Sequence, residues 1–87
     1  MKYDQKAVSV SIGKFLRDKR KQLKLTQEQL AYRSGLDTST ISRLERGAYS
    51  LAINKLPQLV EGYGLSSISE LFEGYRYHSP QPPSSTK

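Results

Sequence analysis

Hydrophobic residues along this chain recur every three or four positions, the spacing of a helix face. Ile12, Leu16 and Leu23, with Phe15 beside them, mark a first helix. Val8, Val10 and Ile12 alternate, so the entry to that helix reads either as helix or as a short extended arm. Ile41 and Leu44 form the inward stripe of a third helix. Ile53, Leu56, Leu59, Val60 and Tyr63 share one face of a fourth, over about 53–63, and Ile68, Leu71 and Phe72 ride on a short fifth. No stretch reads as a sheet, and the fold class expected is all-α.

The polar punctuation places the second helix and the boundaries. Thr26-Gln-Glu-Gln29 is a capping box, in which hydroxyl and amide side chains satisfy each other's orphan backbone N–H groups. Leu25 before the cap and Leu30 in the helix have the spacing of a hydrophobic staple, as do Leu36 and Ile41 around Asp37, the N-cap of the third helix. Gly35 stops the second helix, and Gly47 stops the third. Two short helices joined by a tight glycine turn describe a helix-turn-helix. Pro57 is tolerated if it falls in the first turn of the fourth helix, and Ser67-Ile-Ser-Glu70 reads as a second capping box. Residues 1–7 read as a flexible leader, 8–74 as the working domain and 75–87 as a disordered tail, whose stretch 79–87 has no apolar residue.

Composition narrows the function. With 87 residues and no cysteine, the chain has room for one small domain without disulfide or thiolate–metal staples. No apolar run approaches the ~20 residues of a membrane span, and the first residues lack a signal-peptide pattern, so a cytoplasmic protein is expected. Neither metal-ligand spacing nor a phosphate-binding glycine loop is present, and the single histidine, His78, lies in the tail. No enzyme, metal or cofactor is therefore expected, and no domain for a small-molecule effector is evident. The formal net charge is +6. Up to Arg46 there are eleven basic and five acidic residues, and beyond it the two signs balance. A positive excess confined to one half suits a polyanion.

The third helix carries the chemistry. Opposite Ile41 and Leu44 it presents Thr38, Ser39, Ser42, Arg43 and Arg46, a face of short hydroxyls around arginine. A solvated helix face is normally built from Glu, Lys and Gln. Short hydroxyls instead let the backbone approach a surface, as reading the major groove requires. Two charges also stand in apolar stripes: Arg20 in line with Ile12, Leu16 and Leu23, and Glu45 next to Ile41 and Leu44. A lone buried charge is costly, so the two are expected to pair and lock the first helix onto the third.

Leu25-Thr-Gln-Glu-Gln-Leu-Ala31, Ser34-Gly-Leu36 and Thr40-Ile-Ser-Arg-Leu-Glu-Arg-Gly47 together resemble the phage repressor and Cro-like helix-turn-helix (XRE) family. The resemblance implies a compact five-helix, lambda repressor-like domain that binds double-stranded operator DNA as a homodimer and regulates transcription. It implies base contacts from Thr38, Ser39 and Arg43 with Ser42 nearby, phosphate contacts from Gln27, Thr40 and Arg46, and an inter-helix ion pair between Arg20 and Glu45. Leu51 stands where the family often has proline, and Pro57 is unusual within the fourth helix. Lys14, Arg17, Lys19, Lys21 and Lys24 would add a field without sequence choice. The apolar residues of the fifth helix, with Tyr75 and Tyr77, serve equally well as a dimer surface or as ordinary core or tail aromatics. The segment Leu30-Ala-Tyr-Arg-Ser-Gly-Leu-Asp37 is also similar to restriction-modification controller proteins. An antitoxin-type protein-interaction module and a nonspecific nucleic-acid binder are the rival readings.

Overall fold

A computed structural model describes residues 4–77. Helix α1 runs Gln5–Gln22, α2 Gln27–Ser34, α3 Thr38–Glu45, α4 Leu56–Tyr63 and α5 Ile68–Leu71. A 3-10 turn, Ile53–Lys55, leads into α4, and no strand occurs among the described residues. None of the described helices is long and apolar enough to cross a membrane.

The chain enters as helix, not as an extended arm. The Asp4 carboxylate accepts from the N–H groups of Lys6 and Ala7 and starts α1 at Gln5. Helix therefore covers residues 5–7, which were expected to form part of a loose leader. At the other end Leu23 is the C-cap of α1 and 38% exposed, so it leaves the stripe to which its spacing assigned it.

Both bonds of the capping box at α2 are formed. Thr26 Oγ1 accepts from the Gln29 N–H at 3.0 Å, and Gln29 Oε1 accepts from the Thr26 N–H at 2.9 Å. Gly35, at φ 74°, ends α2 in the left-handed conformation that a side chain would strain. Asp37 holds the N-cap position of α3 without making a side-chain cap bond. At α5 the capping is divided: Ser67 Oγ accepts from the Glu70 N–H, but the Glu70 carboxylate reaches back to the N–H of Ser66 rather than Ser67.

The core is assembled from Leu16 of α1, Leu30 and Ala31 of α2, Ile41 and Leu44 of α3, Leu59, Val60 and Tyr63 of α4, and Leu71 of α5. The Tyr63 hydroxyl donates to the Leu16 carbonyl at 3.0 Å, and Gln58 Nε2 donates to the Ser34 carbonyl at 2.9 Å. These two bonds pin α4 to α1 and α2. Pro57 falls in the first turn of α4, where no N–H is required of it. Ile53 departs from expectation. The 3-10 turn breaks the helical phase, and the side chain is 81% exposed instead of facing the core.

The chain beyond α5 folds back on α1. Tyr75 sets its ring edge against Phe15 and Phe72, at 5.3 and 6.2 Å between centroids, and its hydroxyl lies 3.0 Å from Ser11 Oγ. Tyr75, expected to open a disordered tail, is thus packed on the helices, and positions 78–87 of that expected tail lie outside the described residues. Leu71 belongs to this chain's own core, whereas Ile68 of the same helix is 42% exposed and Tyr75 half-buried.

Candidate nucleic-acid interface

Helix α3 divides sharply between two faces. Ile41, Leu44 and Glu45 are buried, at 0%, 6% and 6% exposure. Thr38, Ser39, Arg43 and Arg46 are exposed, and Thr40 and Ser42 half-buried. No element of the described chain covers the hydroxyl-and-guanidinium side.

What holds the inner face is a polar network. Arg20 Nε donates to Glu45 Oε2 at 2.7 Å and Nη2 to Oε1 at 3.1 Å, a bidentate pair linking α1 to the end of α3. Arg20 Nη1 also donates to the Leu25 carbonyl, in the turn before α2, at 2.8 Å. The hydrogen bond to Glu45 holds the guanidinium charged, raising its pKa against the opposing effect of burial. Both members of the pair are thus satisfied rather than stranded.

Gln27 joins this network. Its Nε2 donates to Glu45 Oε1 at 3.0 Å, so the side chain is half-buried and turned partly inward. The backbone N–H groups of Gln27 and Glu28 have no acceptor among the described residues, because the capping box serves their neighbours Thr26 and Gln29. A helix start with free N–H groups suits an anion. The link between Gln27 and Glu45 has no signature in the sequence.

Helices α1 and α3 touch through Gly13. A β-carbon there would lie 2.7 Å from the Glu45 carbonyl oxygen and would overlap the Leu44 carbonyl oxygen as well. A glycine inside a helix costs about 1 kcal/mol relative to alanine, and that unexplained cost is the signal that could have marked the contact. Gly47, at φ 76°, stops α3 and also abuts the backbone of Val10.

The basic side chains differ in availability. Lys14 pairs with Asp18 at 3.3 Å, and Lys19 lies 5.6 Å from the Phe15 ring centroid. Arg17, Lys21 and Lys24 are exposed without a carboxylate partner among the described residues. Arg46 Nε bonds the Ser42 carbonyl at 3.3 Å and lies along the helix. Arg43 stands over the ring of Tyr49, its Cζ 5.7 Å from the centroid, a contact between residues six positions apart that sequence reasoning missed.

Comparison with known proteins agrees with this geometry. A helix-turn-helix family model matches residues 16–71. An uncharacterized HTH-type transcriptional regulator of Methanothermobacter thermautotrophicus is 39% identical over 57 residues, covering 66% of this chain and 83% of the relative. The crystal structure of the restriction-modification controller protein C.AhdI from Aeromonas hydrophila superposes with a TM-score of 0.69 at 35% identity, over 76% of this chain and 98% of that one. The controller protein C.Esp1396I, bound to a 19 base pair DNA duplex, has a TM-score of 0.68 at 32% identity, over 76% and 87%. With the exposed face of α3 and the locked inner face behind it, these matches place the chain in the helix-turn-helix family of DNA-binding transcriptional regulators, of the XRE (Cro/C1) type.

Proposed function

We propose that the protein binds operator DNA as a homodimer in the cytoplasm and regulates transcription by occupying that site, without catalysis. The observation that carries this reading is the division of α3: Thr38, Ser39, Arg43 and Arg46 exposed, with Ile41, Leu44 and Glu45 held in the core. Laid in the major groove, such a face offers Arg43 for bidentate contact with guanine. Thr38 and Ser39 serve as short partners for base edges or a thymine methyl, with Ser42 beside them. Gln27, Thr40 and Arg46 flank that face and take the phosphates, which set register without reading sequence. The free N–H groups at the start of α2 support the phosphate role of Gln27 even though its side chain is partly engaged by Glu45.

One module reads too few bases for selectivity. Two copies about a two-fold axis meet half-sites about 34–36 Å apart on one side of the duplex. A narrower reading, control of a restriction-modification system, is supported by the likeness to C.AhdI and C.Esp1396I. Fluorescence anisotropy with a preferred duplex and its single-base variants tests the assignment. Arg43→Ala is expected to lose about 1–3 kcal/mol on the preferred site and to relax choice at one position per half-site. An equal loss on every duplex would reduce Arg43 to a phosphate contact.

A further inference from the structure

The last turn of α3 brings a ring under a guanidinium. Gly47 turns the chain at φ 76°, and the Ala48 N–H donates to the Arg43 carbonyl at 2.8 Å. This reversal carries residue 49 back along the helix. Tyr49 packs against the core with part of its surface exposed, and its ring lies 5.7 Å from Arg43 Cζ.

We propose that Tyr49 is a positioning residue for Arg43, its ring face holding the guanidinium in the orientation that reads a base. The inference rests on the base-reading role proposed for Arg43. Among the described residues Arg43 has no carboxylate partner and no side-chain hydrogen bond. Its situation differs from that of Arg20, whose Nε, Nη1 and Nη2 are all engaged, and of Arg46, whose Nε bonds a carbonyl. A carboxylate would hold an arginine by occupying the N–H groups that guanine needs. A ring face attracts the cation through its quadrupole and leaves those donors free. Arginine also carries large rotamer freedom, and a side chain restrained before binding has less to lose on contact. The ring therefore contributes to choice at one base pair and not to affinity in general.

The test uses the full-length protein, the duplex it selects from random-sequence DNA, and single-base variants of that duplex. Tyr49→Leu keeps apolar bulk without the ring face, and Tyr49→Phe keeps the face without the hydroxyl. Thermal melting is recorded for each variant. Tyr49→Leu is expected to reduce discrimination about two- to fivefold at the position read by Arg43 and to leave other positions unchanged. Tyr49→Phe retains wild-type discrimination, and Tyr49→Leu has no further effect in an Arg43→Ala background. Equal weakening on all duplexes by Tyr49→Leu, or a loss in Tyr49→Phe as large as in Tyr49→Leu, overturns the positioning role. So does an effect that persists without Arg43. Should Arg43→Ala itself show no loss confined to one position, the base-reading assignment falls and this inference with it. The wild-type protein gives a further readout free of any folding defect. The Arg43 Nε–H proton is expected upfield of a freely exposed arginine through the ring current, and a resonance at the unshifted position contradicts the contact.

Discussion

Arg20 and Glu45, 25 residues apart, meet in a bidentate ion pair that fastens the first helix to the end of the third. The pair also gathers the turn before α2 through the Leu25 carbonyl and the start of α2 through Gln27. Three helices are thus aligned at one buried point, and the exposed face of α3 takes its orientation from it. Arg20→Ala leaves the buried Glu45 carboxylate without its cation and is expected to cost about 3–5 kcal/mol in chemical denaturation. A denaturation midpoint equal to wild type would show that the pair carries no structural weight.

Gly13 tests the same joint from the backbone side. Alanine favours helix over glycine by about 1 kcal/mol, which alone would stabilise α1. The added carbon, however, would lie 2.7 Å from the Glu45 carbonyl oxygen. Overpacking of this kind typically costs about 1–3 kcal/mol, and here the obstacle is backbone that cannot rotate away. Gly13→Ala is therefore expected to lower the melting temperature and weaken DNA binding. A rise in melting temperature would mean that the two helices part without cost.

Alkali should loosen the core through Tyr63. Burial, assisted by the negative charge of Glu45 and opposed by Arg20, raises its phenol pKa above the ordinary value of 10.0. The folded state therefore keeps a proton that the unfolded chain releases. This stabilisation is complete below the unfolded pKa and declines as pH rises from there through the folded pKa, by up to about 1.4 kcal/mol per pH unit. Denaturation midpoints of wild type and Tyr63→Phe, compared from about pH 9 to about pH 11, should show a steeper decline in wild type. Parallel curves would exclude Tyr63 as the source.

Tyr75 should matter to folding although it follows the last helix. Its ring packs on Phe15 and Phe72, and its hydroxyl meets Ser11. Tyr75→Ala removes all three contacts at a half-buried site and is expected to cost about 1–3 kcal/mol. An unchanged melting temperature would assign the residue to a tail after all.

Much of this architecture was legible from residue pattern, and the shortfalls have physical reasons. Arg20 and Glu45 were visible because each interrupts an apolar stripe, where an unpaired charge is too costly to persist. The capping box at Thr26 and the stop at Gly35 depend on short-range backbone geometry, which local sequence specifies. Ile53 was misplaced because its apolar character continues the spacing of α4, while the backbone there is a 3-10 turn. The bond from Gln27 to Glu45 and the stacking of Tyr49 under Arg43 depend on where separate segments meet in space. Helical periodicity carries no record of such meetings. Gly13 did carry a signal, as a poor helix former in mid-helix.

Selection of bound sites from random duplex DNA, run in parallel for wild type and Arg43→Ala, bears most directly on the role of α3. Wild type is expected to enrich a motif with two symmetric halves, centred about one helical turn apart. The variant is expected to enrich the same motif with one position lost from each half. Enrichment of no motif, or of an identical motif by both proteins, would contradict base reading by the exposed face of α3.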